Sequence, residues 1–354
     1  MAPRGCRVVD GWSCPLPLRD HPRVTLAHGG GGLLTSELVD HLFIPAFGGA
    51  AAEANGLDSA VLDLGEGRLA FTTDSFVVHP LFFPGGCIGD LAINGTVNDL
   101  AMVGAVPLAL STAFVLEEGL DLEVLGLVAT AMGHAATIAD VELVAGDTKV
   151  VELGRADGMY ITTSGVGFIP DGVELGPTQV ESGDVVIVSG PIGRHGVAVM
   201  SLREGLEFET TIESDCAPLA GLVAAMLEVG GVRCLRDATR GGLAGVLYEI
   251  ATDAGLGVEF DAEVVPVPPQ VRGACEMLGL DALHVANEGV LVGVVEADRA
   301  EAVLEVMRSR PEGAEASSIG EMVERRPGMV IARTALGSTY VVDRPLGEQL
   351  PRIC

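Results

Sequence analysis

Apolar and polar positions along this chain follow two periods in turn. A short, mostly apolar run at 69–73 leads into Asp74, which predicts a buried strand ending at a polar position. Residues 87–103 carry apolar side chains at helical spacing, broken by Asn94, Gly95, Asn98 and Asp99. Next come a predicted strand over 106–116, a helix over 122–139, a strand or strand pair over 141–151 and a strand over 159–169. Residues 170–184 turn rich in Gly, Pro and acid, the composition of a domain boundary. A second mixed set follows, with strands over 185–189, 290–295 and 329–332 and helices over 217–229, 242–254 and 299–308. Both halves mix strands with helices, so the expected class is α/β or α+β, and the absence of a short repeat argues against a solenoid.

The ends behave differently. Residues 1–20 hold Cys6, Trp12, Cys14 and three prolines without periodicity and read as an extension. The last dozen residues, 343–354, follow the final predicted strand, contain Pro345 and Pro351, and predict an extended, mobile tail. The expected division is an extension over 1–23, a first domain over 24–172, a second over 173–340 and a tail over 341–354 that carries Cys354.

Composition narrows the function. At 354 residues the chain can bury two cores, and 48% hydrophobic residues suit a compact protein. The net charge of −28 repels a phosphate backbone, so nucleic acid is not an expected partner. An anionic substrate such as ATP would need metal ions or oriented backbone N–H groups to bind. The basic residues sum to 21, of which Lys149 is the one lysine; it follows Thr148, so no Walker A loop exists. Seven scattered cysteines without a C-x-x-C pair suit a reducing compartment. No run of about 20 apolar residues and no signal-peptide core is present, so the expectation is a cytoplasmic protein without membrane contact.

Six features could carry chemistry. Gly29, Gly30, Gly31 and Gly32 precede a helical pattern and read as a phosphate-approaching loop or a merely flexible one. Asp58, Asp74, Asp99 and Asp237 sit at expected element ends, as Mg²⁺ ligands or as solvated acids. Asp74 and Asp99 stand out because they lie in apolar segments, where a lone carboxylate is costly to bury. Gly146-Asp147-Thr148-Lys149 holds the single ammonium, a functional donor or a chance survivor of arginine-biased usage. Asp237, Thr239, Arg240, Gly241 and Gly242 precede an apolar helix: Asp or Thr could cap it, and the glycines allow close packing or phosphate approach. Asn287-Glu288-Gly289 is a polar turn or holds a general base. Cys354 is either an exposed thiol or a carrier on a flexible arm, with Arg352 available to pair with acidic surface.

Pro351-Arg352-Ile353-Cys354 resembles the tail of the NiFe-hydrogenase maturation factor family HypE, the carbamoyl dehydratases. His28 with the four glycines, the segments 72–76, 94–101, 146–150 and 237–244, and 287–289 resemble the same family. The likeness covers about residue 24 onward; residues 1–23 depart from it. The segments before the tail are shared with the wider superfamily of aminoimidazole ribonucleotide and selenophosphate synthetases, and the terminal cysteine discriminates. The resemblance implies a two-domain PurM-like fold whose N-terminal, ATP-binding half pairs with a second copy in a homodimer. It implies ATP and Mg²⁺ at that interface, with metal contacts on Asp58, Asp74, Asp99 and Asp237. Nucleotide contacts fall on the glycine loop, those aspartates, Asn98, Asp147, Thr148, Arg240, Gly241 and Gly242. Cys354, Lys149 and Glu288 become the catalytic set for turning S-carbamoyl-Cys354 into a thiocyanate, giving ADP and phosphate. A HypF-like carbamoyltransferase loads the thiol, and a HypC–HypD-like scaffold takes the cyanide for iron. The competing readings are a small-molecule ATP-dependent synthetase of the superfamily, which would not need Cys354, and a non-catalytic thiol carrier.

Overall fold

The computed structural model describes residues 33–38, 40, 59–63, 67–205, 212–344 and 352–354. The expected 1–23 extension, Gly29, Gly30, Gly31, Gly32 and Asp58 lie outside the described residues. A short helix α1 (Leu33–Leu38) precedes a five-stranded sheet of order β1-β2-β7-β5-β6. Its strands are β1 (Ala60–Asp63), β2 (Arg68–Phe76), β5 (Val106–Glu117), β6 (Glu142–Val151) and β7 (Met159–Ile169). A two-residue hairpin, β3 (Phe82–Phe83) with β4 (Gly86–Cys87), leads into α2 (Ile88–Met102). Helix α3 (Leu122–Ile138) connects β5 to the parallel strand β6.

The alternation in β7 explains how this sheet is covered. Met159, Ile161, Thr163, Gly165, Gly167 and Ile169 are buried on one face, and the intervening residues are less so. The buried face packs against α2, whose N-terminus is held by a box in which Gly89 N–H donates to Cys87 Sγ and Cys87 N–H to Asp90. Thirteen of the fifteen α2 residues are buried, so it is a central helix with no solvent stripe. The outer face is open: Phe71, Val106, Leu108, Val115 and Phe168 are exposed large apolar residues, and edge strand β6 is exposed almost throughout.

The second half is built on a seven-stranded mixed sheet of order β14-β13-β10-β12-β8-β11-β9. Its strands are β8 (Val185–Val188), β9 (Val232–Asp237), β10 (Gly257–Asp261), β11 (Leu291–Val295), β12 (Ser317–Val323), β13 (Val330–Arg333) and β14 (Thr339–Val341). Helices α4 (Arg194–Arg203), α5 (Ala220–Val229), α6 (Gly242–Ala254), α7 (Pro269–Leu278) and α8 (Ala300–Arg308) complete it. Neighbours in β8, β9 and β11 face alternate cores. Val186, Cys234 and Val292 pack with α6, whereas Ile187, Leu235 and Leu291 pack with α5 and α8. A sheet buried on both faces needs such continuous apolar strands.

Several expectations need correction. Strand β2 runs through Asp74 to Phe76 instead of ending before it, because Ser75 and Phe76 pair with Thr162 and Ile161. Asn94, Gly95, Asn98 and Asp99 do not interrupt α2: Asn98 is satisfied sideways by Ala217, Leu219 and Glu288, Asp99 accepts from Thr72, and the Asn94 amide nitrogen reaches Cys216 Sγ. The strand over 141–151 is single, and the helix expected from 217 starts at Ala220. Helix α6 is not capped by Asp237 or Thr239: Gly241, at φ 83°, is the cap residue and supplies no side chain.

Gly165 is where α2 and β5 close on β7. A Cβ there would lie 2.7 Å from Leu110, 2.9 Å from Thr96 and 3.0 Å from Leu100, all fully buried. Gly165→Ala should therefore destabilise the protein by about 1–3 kcal/mol despite the intrinsic gain of replacing a strand glycine, measured by urea unfolding.

Candidate functional site

A cavity of about 540 Å³ opens where the two halves meet, lined by Thr72, Asp74, Gly95, Asp99, Arg236, Asp237, Arg240, Glu249, Glu288 and Cys354, among others. Strands β2 and β9, helices α2 and α6, the turn after β9, the residues before β11 and the tail supply these groups. Strand β2 places Thr72 and Asp74 on the face that carries α2, and α2 brings Asp99 beside them. Thr72 Oγ1 donates to Asp99 Oδ2 at 2.8 Å. Asp74 is hydrogen-bonded to Asp99, and burial raises its pKa against the lowering effect of that bond and of Arg240. Two half-buried carboxyls in contact share a proton or a cation.

The second half contributes the end of β9, the turn that follows and the residues before β11. Arg236 holds Glu249 at 2.7 Å, and Arg344 reaches Glu249 at 3.1 Å. Gly242, at φ 61°, fits because a Cβ would stand 2.6 Å from the Leu283 carbonyl oxygen and 2.7 Å from that of Val285. Of the two uses open to the glycine pair, close packing is therefore the one seen at Gly242. The N-terminus of α6 starts at the cavity wall and has no acidic residue in its first turn, an arrangement favourable to an anion.

Glu288 is held from three sides. Buried Asn287 accepts from Gly193 N–H at 2.6 Å and donates to the Ala238 carbonyl at 2.7 Å, locking the approach to β11. Glu288 N–H donates to Asp215 Oδ1 at 2.7 Å, and its carbonyl accepts from Asn98 Nδ2 at 3.3 Å. Gly289 is needed next, since a Cβ there would meet the Asp215 carbonyl oxygen at 1.9 Å. Glu288 Oε1 is buried without a hydrogen-bond partner. Burial first, then the charges of Asp237 and Asp215, raise its pKa well above the usual carboxylate value, so it is a strong proton acceptor once ionised. Burial likewise pushes Asp215 up to about 6.

Residues 352–354 are docked at this site. Val77 N–H donates to the Cys354 carbonyl and His79 N–H to that of Arg352, both at 3.1 Å, so the tail lies antiparallel along the segment that follows β2, with Arg352 turned into the left-handed region at φ 59°. Ile353 is buried, and Arg352 pairs with Asp157.

The sequence-derived candidates thus separate into groups. Asp74, Asp99, Asp237, Arg240, Glu288 and Cys354 line one cavity. Asn98 stands beside it with its amide committed to Ala217, Leu219 and Glu288, and Gly241 and Gly242 start α6 behind Arg240. Asp147, Thr148 and Lys149 are on β6 and do not line it; Asp147 shares a sheet row with Ser75, three strand spacings or about 14 Å away. Lys149 is paired with Asp147 at 2.7 Å and is well exposed. Thr72, Arg236, Glu249 and Asp215 were not singled out in the sequence; only Thr72 had a signal, its place in the segment before Asp74. No cluster of three or more metal-binding side chains occurs among the described residues. None of the helices described is long and apolar enough to cross a membrane.

Comparison with known proteins agrees with this geometry. Residues 56–169 match the family "AIR synthase related protein, N-terminal domain" and 181–332 its C-terminal domain. The carbamoyl dehydratase HypE of Bradyrhizobium diazoefficiens is 52% identical over 333 residues, covering 94% of this chain and 96% of that protein. The solved structure described as a HypE-HypF complex superposes with a TM-score of 0.82 at 46% identity, covering 87% of this chain and 99% of that one. A HypE structure in complex with ATP gives 0.79 at 43% identity, covering 94% and 100%. With a two-domain fold, an acidic cavity at the seam and a cysteine tail seated in it, the chain belongs to the HypE family of carbamoyl dehydratases.

Proposed function

We propose that this chain dehydrates a carbamoyl group carried on Cys354 to a thiocyanate at the expense of ATP. The observation that carries the reading is the docked tail, whose Cys354 lines the same cavity as Glu288, Asp74, Asp99 and Arg240. A small-molecule synthetase would have no use for a thiol there.

The cavity wall is acidic, with Arg236 and Arg240 as its basic residues, so it suits a metal–polyphosphate better than a bare polyphosphate. The half-buried Asp74–Asp99 pair at the cavity fits a Mg²⁺ ion, a hard cation that accepts carboxylate oxygens. Asp237 lies near, and the sequence-derived set adds Asp58 and the four glycines. When bound, the ion supplies charge neutralisation on the phosphates. Arg240 and the start of α6, with Gly241 and Gly242, face the phosphate charge.

In the reaction the carbamoyl oxygen attacks the γ-phosphorus of ATP, ADP leaves, and one nitrogen proton is lost. The C–O bond then breaks with release of phosphate as the second nitrogen proton is removed, giving S–C≡N. Glu288 accepts a proton from nitrogen, and its buried, unpartnered Oε1 is the atom for that task. A HypF-like carbamoyltransferase loads the thiol, in keeping with the solved HypE-HypF complex that this chain resembles, and a HypC–HypD-like scaffold accepts the cyanide. We assign 24–172 to nucleotide binding and dimerisation, 173–340 to the second domain and 341–354 to the carrier tail, in a cytoplasmic protein. The exposed apolar outer face of the first sheet is the surface on which a second copy pairs. Asp147 and Lys149 lie on that face of β6, Thr148 between them on the other face of the exposed edge strand, and all three reach a nucleotide only through the dimer.

Three outcomes test this reading. Incubation with ATP, Mg²⁺, carbamoyl phosphate and the carbamoyltransferase should give, by intact mass, an adduct on Cys354 that loses one water only when ATP is present; an adduct indifferent to ATP would refute the dehydratase. Glu288→Gln should slow dehydration by about 10²–10⁴-fold. The base works ionised and its pKa is raised, so the wild-type rate should climb with pH through a limb above the normal carboxylate range, and the variant should lack that limb. Glu288→Gln and Lys149→Ala chains, each inactive alone, should regain up to about a quarter of wild-type activity when mixed and exchanged, because half the dimers then hold one intact site. No recovery would remove Lys149 from a site shared between subunits.

A further inference from the structure

The docked tail has two edges, and each is closed differently. Arg352 is in the left-handed region at φ 59°, so the tail turns as it enters the site and its three carbonyls find separate partners. Those of Arg352 and Cys354 accept from the backbone of His79 and Val77. That of Ile353, between them, accepts from His195 Nε2 at 2.9 Å. His195 sits in α4, is fully buried and meets Phe83 edge-on at 5.3 Å between ring centres. A carbonyl can only accept, so Nε2 carries the proton and Nδ1 accepts from Ser214 Oγ at 2.8 Å. Burial holds the imidazole pKa down to about 4, which keeps one donor and one acceptor at neutral pH.

Ser214 belongs to the segment that also places the base. Its hydroxyl accepts from Cys216 N–H at 3.1 Å, and its neighbour Asp215 accepts from Glu288 N–H at 2.7 Å. One short stretch, 214–216, therefore touches both the tail through His195 and the backbone N–H of Glu288 through Asp215. The tail's remaining side-chain anchors are weaker candidates for control. Arg203 donates to the Arg352 carbonyl at 2.7 Å and Arg352 pairs with Asp157, but both are solvent-accessible contacts.

We propose that His195, oriented by Ser214, is the positioning residue that latches residues 352–354 and so seats the Cys354 thiol in the cavity Glu288 lines. It acts through the tail and does not touch the reacting atoms. The latch favours the seated state needed for dehydration and opposes the released state needed for loading. The proposal rests on the dehydratase reading for its catalytic consequence but not for its structural one.

The decisive comparison is His195→Gln against His195→Asn. The glutamine amide nitrogen overlays Nε2 and keeps a donor to Ile353; the asparagine amide nitrogen overlays Nδ1 and does not. Iodoacetamide alkylation of Cys354, mapped by mass against the buried Cys87, Cys234 and Cys275, reports tail position without any enzymology. His195→Asn should raise that rate about tenfold, the factor for losing one hydrogen bond, while His195→Gln stays within about threefold of wild type. On chains carbamoylated beforehand, ATP-dependent dehydration should fall about tenfold in His195→Asn and recover in His195→Gln, whereas carbamoyl loading should not fall in either. Ser214→Ala, which frees the tautomer, should shift alkylation in the direction of the asparagine variant. Equal alkylation rates in the Asn and Gln variants would overturn the latch, as would loading and dehydration falling together. A wild-type chain that never dehydrates its adduct would sink the dehydratase reading and leave the alkylation result to judge the latch.

Discussion

Helix α2 is surrounded by protein, and a helix in that position can carry polar side chains only where they find partners. Asn98 meets the condition with three contacts, to Ala217, Leu219 and Glu288, all in the second half of the chain. Leaving such a group unpaired would cost about 1–3 kcal/mol, so the side chain fixes how the halves meet. Asp99 is the next residue, and its place beside Asp74 follows from that lock. Glycines shape the fit: Gly89 lets α3 approach so closely that a Cβ would stand 2.7 Å from the Val128 carbonyl oxygen, and Gly165 does the same towards the sheet.

The seam so formed gathers acids where water is scarce. Burial disfavours the charged form of Asp74, Asp215 and Glu288, and each is raised. Such groups weaken the fold as pH rises through their folded-state values, since an unfolded carboxyl would ionise earlier. For Asp215 that loss is complete above about pH 6. The protein keeps this liability around the cavity where the proposed reaction takes place, which is the usual relation of perturbed carboxylates to function.

Tail docking is nearly balanced. Ordering three residues costs about 3–6 kcal/mol of backbone entropy. Against it stand burial of the Ile353 side chain, worth about 1.5–3 kcal/mol. Hydrogen bonds from Val77, His79, His195 and Arg203 add about 0.5–1.5 kcal/mol each. Opposing terms of similar size suit a carrier that must enter and leave its site, and they give weight to a single buried bond such as that of His195.

Where local pattern and local geometry coincide, the sequence alone determined the answer. The periodic segments of α2, α3, α6, β5 and β7 were legible because their apolar spacing reflects one buried face or one continuous core. Helix α4 was not, because Arg194–Arg203 is buried without a stripe and so shows no period. Asp74 and Asp99 were legible as candidates because carboxylates in apolar segments are costly to bury alone, and Asp237, Glu288 and Cys354 through their glycine-rich or terminal motifs. Tertiary structure alone decided which candidates meet: it drew those five around one cavity and left Lys149 on an exposed strand. It also revealed His195, which nothing in its neighbourhood of sequence marks, since its partner Ile353 lies 158 residues away. Burial, tautomer and the pKa of a carboxyl depend on atoms brought together by the fold, and no local pattern encodes them.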